Sequence, residues 1–369
     1  MFLIVYPVGE VFVSKDYVTL EMPTQFAHLP LVVGVDLGGT QIRTAVMRGP
    51  HLLSRIGLLT AEQPGPDKVI SRMIQAVHQA LDETGVSLEQ IAGIGIGAPG
   101  PLNRKTGVLF SPPNLPGWHN TPLRDIFYEH FQCPIFVEND ANVAALGEYM
   151  FGAGQGCLDM AYLTISTGIG GGIIANGQLL TGMIGTAAEL GHMTIDLHGP
   201  RCSCGNIGCL ESLASGTAIA RRANEQIALG ESGGDALVDF ALKERVREAR
   251  ADTPYDSQSL ATTATHLNAF MVAQAAARGI PLAREIIKSA AEALGVGLVN
   301  IIHIFNPEII ILGGGVTQIG EPLLGPAKRI VEERALPASR QGVRIVMAYL
   351  GNDAGLIGAG SLVYCNKEV

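Results

Sequence analysis

The sequence predicts an α/β protein of duplicated plan, two halves flanking a cleft, with a metal-binding loop. Three observations predict it. Residues 31–47 and 160–175 each read as a strand, a small-residue turn and a second strand, and they lie about 130 residues apart. Helical spacing alternates with short β-branched runs along much of the chain. Residues 189–211 gather His192, Cys202, Cys204 and Cys209, three of the six cysteines, in one short stretch.

Composition bounds the function classes. The chain has 369 residues, 47% hydrophobic and 16% charged, which supplies a large core and room for two or three domains. Net charge is 25 − 34 = −9. That argues against nucleic acid and anionic membrane as partners. Phosphate must then be held by backbone amides and a few local groups. No apolar run reaches the roughly 18 residues of a membrane span. Residues 1–30 lack the basic start of a signal peptide and read as an N-terminal extension.

The metal loop carries the spacing H-x9-C-x-C-x4-C. Thiolate and imidazole suit Zn²⁺, and a Cys₃His set closes a tetrahedral shell, which is structural rather than catalytic. Gly199, Pro200, Gly205 and Gly208 supply the bends. The rival readings are unrelated thiols or a disulfide, and nothing points to an oxidising compartment. Glu189 and Glu211 bracket the loop, so the metal would fix two acids and His192 around a polar ligand.

At the first hairpin, Gly38, Gly39 and Thr40 form the turn. At the second, Ser166, Thr167 and Gly168 do. Outward N–H groups at such turns cradle phosphate oxygens. Asp36, ending the first strand, is placed for Mg²⁺ or its waters. Residues 69–83 have helical spacing and end near Gly85. Gly95, Gly97 and Gly100 match G-x-G-x-x-G, but Pro99, Pro101 and Asn103 forbid the helix that a dinucleotide fingerprint opens. These glycines are expected to let backbone approach a ligand. Residues 111–118 form a rigid loop with the single Trp, read as a packing anchor beside Asn114.

Residues 135–148 run from an apolar strand through Glu138-Asn139-Asp140 into a helix. Asn or Asp there is an ordinary N-cap. It is equally where a general base at a cleft mouth belongs, and the residues leave both open for Asp140. Residues 215–229 read as a helix capped by Ser215 or Thr217. Residues 231–259 read as a surface insertion without chemistry, and 282–302 as a long apolar helix. Gly313, Gly314 and Gly315, between a strand and a helix, let a flat ring or phosphate lie close.

In combination these motifs resemble the ROK family of repressors and sugar kinases, and within it the bacterial glucokinases. The likeness spans about residues 31–364. It rests on Asp36-Leu37-Gly38-Gly39-Thr40, Asn114-Leu115-x-Gly117-Trp118, Glu138-Asn139-Asp140-Ala141-Asn142, Thr167-Gly168-x-Gly170-Gly171-Gly172, Glu189-Leu190-Gly191-His192, the Cys202-to-Glu211 signature and Gly313-Gly314-Gly315. The resemblance implies an actin-like, hexokinase-type (ribonuclease H-like) fold. One domain would comprise residues 31–145 plus 354–369, the other 146–353 with zinc loop 192–209. It implies ATP-dependent, Mg²⁺-assisted phosphorylation of glucose at the 6-hydroxyl, with Asp140 as base. Asn114, Asn139, Asp140, Glu189, His192 and Glu211 would hold the sugar. Asp36, Gly38, Gly39, Thr40, Thr167, Gly168, Gly314 and Gly315 would serve the nucleotide. His192, Cys202, Cys204 and Cys209 would hold structural Zn²⁺, with His192 turning its other ring nitrogen to the sugar. A cytoplasmic homodimer or homotetramer is the implied assembly.

Two residues depart from the family pattern. Gln41 stands where Lys is usual, with Arg43 nearby, and Ala188 stands where Gly is usual. The runner-up substrates are N-acetylglucosamine, N-acetylmannosamine, mannose and fructose. A sugar-responsive repressor would need a helix-turn-helix ahead of Asp36, and the 35 residues there are neither helical nor basic.

Overall fold

The computed structural model describes residues 26–60, 65–252 and 267–366. Residues 1–25 of the extension and 253–259 of the expected insertion lie outside the described residues. The first half of the chain builds β1 (Leu31–Leu37), β2 (Gln41–Arg48), β3 (His51–Leu52), β4 (Ile56–Leu59), β5 (Ile91–Ala98), β6 (Leu102–Asn103), β7 (Val108–Leu109), β8 (Thr121–Pro122) and β9 (Ile135–Asn139). The second builds β10 (Met160–Ile165), β11 (Ile169–Ala175), β12 (Gln178–Leu179), β13 (Ile309–Gly313) and β14 (Arg344–Met347).

Two main sheets repeat one plan. Their orders are β3-β2-β1-β5-β9, with β4 also on β2, and β12-β11-β10-β13-β14. In each, an antiparallel hairpin is extended by two parallel neighbours. Parallel neighbours need crossovers, and helices Pro66–Thr84, Leu123–Phe131, Pro281–Phe305 and Glu321–Arg334 lie in them. Helix Pro66–Thr84 starts with proline in its first turn, buries Val69, Met73, Val77 and Leu81 along one face, and stops at left-handed Gly85. The small sheet β6-β7-β8 is built from the connection between β5 and β9.

Each main sheet has its own core. Trp118, 1% exposed, packs with Leu123, Phe127 and Phe131 under the first, which makes it a packing anchor. Under the second, helix Pro281–Phe305 buries Leu294, Leu298, Ile301 and Ile302. Such side chains contribute roughly 1.5–3 kcal/mol each on burial. Among the described residues this helix alone has the length and mean hydropathy to cross a membrane, but most of its apolar stretch is buried inside the protein. Helix Gly234–Asp252 lies in the segment read as a surface insertion; it packs Leu237 and Ala241 into this core and leaves Asp235, Asp239 and Lys243 exposed.

The glycines of β5 also need correction. They do not open the backbone to a ligand. A Cβ at Gly95 would collide with the Ala359 carbonyl, and one at Gly97 would lie 2.7 Å from Val143 Cγ2. They make room for helices Ala354–Cys365 and Asp140–Phe151, which press on the sheet. Those helices also meet each other closely: a Cβ at Gly147 would lie 2.8 Å from the Ala354 carbonyl oxygen. At the far end of helix Asp140–Phe151, Glu148 is fully buried. Its carboxylate accepts the N–H groups of Ala153 at 2.9 Å, Tyr349 at 3.1 Å and Leu350 at 2.7 Å.

Candidate active site

Strand β9 becomes a helix at Asp140 because Asn139 caps it. The Asn139 Oδ1 accepts the N–H groups of Ala141 at 2.9 Å and Asn142 at 3.2 Å. Capping uses only the oxygen and leaves the Asn139 amide nitrogen for a ligand. The Asp140 carboxylate accepts the Ala141 N–H at 2.8 Å. Asp140 is open to solvent on one side, while protein crowds its other sides. Loss of water pushes its pKa up to about 6; the Ala141 N–H opposes this, and the carboxylates of Asp36 and Glu189 add to it. Such a group is ionised at neutral pH yet more basic than an ordinary aspartate, as a general base should be. The cap is thus Asn139 and not Asp140.

Both hairpin turns are held through their carbonyls. At the first, Gly38 N–H donates to the Gln41 carbonyl at 2.9 Å, and Thr60 donates to Gly38 and Thr40 carbonyls at 2.8 Å each. Gly39 and Thr40 stay exposed. Asn114 is beside them: a Cβ at Gly39 would lie 3.3 Å from Asn114 Cβ. Asp36 is buried and opposite Arg43 across β1–β2. Arg43 donates to its carboxylate through Nε at 3.0 Å and through Nη2. Burial pushes the Asp36 carboxyl up and Arg43 opposes that. Arg43 also donates to the Asn352 carbonyl. It is therefore committed to structure and is no free replacement for the cation absent at Gln41. A metal approaching Asp36 must compete with Arg43.

At the second turn, Ile169 N–H donates to Glu211 Oε2 at 2.9 Å, and Glu211 leaves no space for a side chain at Gly168. Helix Gly216–Ala228, capped by Ser215 through the Ala218 N–H, docks on this turn. Its Gly216 N–H reaches the Ser166 carbonyl at 2.8 Å, and the Thr217 hydroxyl reaches the Thr167 carbonyl at 2.8 Å. Beside them opens a cavity of about 1110 Å³, lined in part by Thr167, Thr217, Phe270, Lys288, Gly315 and Gln318. Gly314, at φ 88°, is pinned against the Ile165 carbonyl, whereas a Cβ at Gly315 would meet nothing. Gly315 is thus the glycine open to a ligand. Asp140 does not line this cavity.

Sequence reasoning missed the cavity wall formed by Asn268, Phe270 and Lys288. One signal was present: Asn268 precedes an apolar run, and it caps helix Ala269–Ala277 through the Met271 N–H at 2.9 Å.

The metal loop brings its four ligand atoms within 4.8 Å of one another. His192 Nδ1 is 3.7 Å from Cys202 Sγ, and Cys204 Sγ is 3.8 Å from Cys209 Sγ. A tetrahedron with bonds of about 2.3 Å has edges of about 3.8 Å, so the donors fit Zn²⁺ in both chemistry and spacing. All six cysteines are free, which removes the disulfide alternative. Glu211 ties this loop to the second turn: besides Ile169, it accepts from Ser203 Oγ at 3.4 Å. Glu189 joins the cluster: burial raises its pKa, His192 opposes and Glu211 adds. Asp36 and Glu189 thus lie close enough to Asp140 to act on its charge, and His192 and Glu211 close enough to act on Glu189.

Ala188, before Glu189, has φ 62°. That left-handed conformation costs an L-residue roughly 1–2 kcal/mol, partly offset by the unfolded-state entropy a glycine would lose. Ala188→Gly is therefore expected to stabilise the protein by about 0.5–1 kcal/mol. A denaturant midpoint that stays put or falls would show that the turn does not carry this strain.

Comparison with known proteins agrees with this geometry. The ROK family model matches residues 32–365. The chain is 38% identical to a glucokinase of Halalkalibacterium halodurans, over 90% of this chain and 94% of that one. It is 29% identical to a xylose repressor of Caldicellulosiruptor bescii, over 90% of this chain and 77% of the repressor. The crystal structure of a ROK family glucokinase from Streptomyces griseus, in complex with glucose and AMPPNP, matches with a TM-score of 0.72 and 33% identity, over 90% of this chain and 98% of that one. In hairpin plan, metal loop and near-complete coverage, the chain belongs to the ROK family.

Proposed function

We propose that this protein is an ATP-dependent hexose kinase that phosphorylates glucose at its 6-hydroxyl, with Asp140 as general base. The observation that carries the reading is the Asp140 carboxylate, solvent-facing at the start of a helix that Asn139 caps in its place. The attacking hydroxyl forms a bond to the terminal phosphorus of ATP. The bond to the ADP oxygen breaks, and Asp140 takes the hydroxyl proton. Catalysis is then mostly positioning and charge stabilisation.

Asn114, the Asn139 amide nitrogen, Glu189 and Glu211 hydrogen-bond the other hydroxyls in this reading. Gly39, Thr40, Thr167 and Gly168 receive the phosphates on their N–H and hydroxyl groups, while Gly38, whose N–H is held by the Gln41 carbonyl, shapes the first turn. Gly315 borders the adenosine in the cavity, with Gly314 behind it against the Ile165 carbonyl. Mg²⁺ carried by the nucleotide supplies charge neutralisation, with Asp36 the carboxylate at hand. His192, Cys202, Cys204 and Cys209 hold Zn²⁺ in a closed shell. The approach of His192 Nδ1 to Cys202 supports metal on that nitrogen, leaving Nε2 for the sugar. The halves divide at residue 145 and rejoin through the C-terminal helix from residue 354, so that the cleft closes on both substrates.

The test is ADP release with Mg-ATP across glucose, mannose, fructose, N-acetylglucosamine and N-acetylmannosamine. Turnover strongest on glucose is expected. Preference for an acetamido sugar would keep the mechanism and move the substrate, and no turnover on any sugar would overturn the kinase reading.

A further inference from the structure

Glu138 is 0% exposed and one residue ahead of Asn139. Its Oε1 accepts the Asn139 N–H at 2.9 Å and the Asn142 Nδ2–H at 3.0 Å. Its Oε2 lies 2.9 Å from Arg104 Nε. These contacts hold both the peptide entering Asn139 and the first turn of the helix that starts at Asp140. Burial pushes the Glu138 carboxyl up, while Asn142, the Asn139 N–H and Arg104 oppose it. A buried carboxylate stripped of its cation must take up a proton or admit water, and either moves the groups bonded to it.

Arg104 comes from a different element, the turn after β6. That turn is preformed: Asn103 Oδ1 accepts the N–H groups of Lys105 at 3.0 Å and Thr106 at 3.3 Å. On its other flank stands Gly185, in the segment leading to Glu189, where a Cβ would lie 3.2 Å from Arg104 Cβ. Arg104 is therefore wedged between the strand that leads to the proposed base and the segment that leads to a proposed sugar ligand.

We propose that Arg104 is a positioning residue for phosphoryl transfer: its ion pair with buried Glu138 fixes the Asn139–Asp140 peptide at the cleft. The proposal rests on Asp140 being the base. Misplacing a reacting group by about 1 Å costs on the order of 10²-fold in rate. Arg104→Met should lower kcat by about 10–100-fold while KM for ATP, bound at the opposite wall, changes less than about twofold. Arg104→Lys should recover part of the loss. In a Glu138→Gln background, where no buried charge needs a cation, Arg104→Met should cost much less than in the parent.

These kinetics are read beside melting curves and beside Asp140→Asn. Normal kcat in Arg104→Met with Asp140→Asn inactive overturns this proposal alone. Equal losses from Arg104→Met with and without Glu138→Gln overturn it too. Should Arg104→Met not fold, the comparison of Glu138→Gln with the Glu138→Gln/Arg104→Met double variant carries the same test. An active Asp140→Asn overturns the base assignment and this proposal together.

Discussion

Asp140→Asn should lower kcat for glucose phosphorylation by about 10²–10⁴-fold, the range of a lost general base. Glucose affinity should change little, because the asparagine oxygen can still accept the Ala141 N–H that the carboxylate accepts at 2.8 Å. In the parent enzyme, kcat/KM should fall with unit slope as pH drops below about 6, where Asp140 takes up its proton. Stability should move the opposite way. The folded-state pKa is above the ordinary value of 3.8, so the native state holds that proton more tightly. Its cost therefore accumulates as pH rises from about 4 to about 6 and is constant above. The asparagine variant should melt higher than the parent at pH 7–8, and the gain should vanish below pH 4. Because one side of Asp140 is open to water, the gain is small, about 2–4 °C. A variant keeping more than about a tenth of the parent kcat, against the expected loss, would remove Asp140 as base.

Cys204→Ser should abolish binding of the zinc proposed for this loop and unravel the loop. Cys204 is exposed, so serine there costs little packing and the loss reports the ion itself. Binding energy of a structural zinc is folding energy. The variant should melt at least about 10 °C lower, a loss of several kcal/mol. Glucose affinity should fall with it, because His192 and Glu211 belong to the same loop. Chelation of the parent should reproduce both changes. A zinc-free variant that stays folded and active would exclude a structural metal here. Elemental analysis beside calorimetry makes the measurement.

Much of this architecture was legible because it rests on local chemistry. Glycine turns at Gly38 and Gly168 mark hairpins, Gly85 stops a helix, and the cysteine spacing marks the metal loop. The helix from Asp140 announces itself by Asn139. What escaped depends on partners far away in sequence. Nothing near Gly95 reveals that Ala359 presses on it. Nothing near Leu237 shows that it enters the second core. The cavity wall at Phe270 and Lys288 becomes a wall only when helices 269–277 and 281–305 pack beside Gly315. Arg104 carries no local mark, since its partner Glu138 is 34 positions on. Ala188 reads as an ordinary residue until its φ is known.

The three N–H groups gathered by Glu148 constrain how the molecule can move. They belong to Ala153, where the chain leaves helix Asp140–Phe151, and to Tyr349 and Leu350, where it returns toward helix Ala354–Cys365. Were the two halves to rotate about this tie, Glu148 would be the pivot. Asp140 lies eight residues away along the same helix, about 12 Å at 1.5 Å per residue. A turn of about 10° there carries its carboxylate about 2 Å, the difference between a hydrogen bond and a gap. Lever length, set by where Glu148 falls in the helix, would then set the stroke of the proposed base.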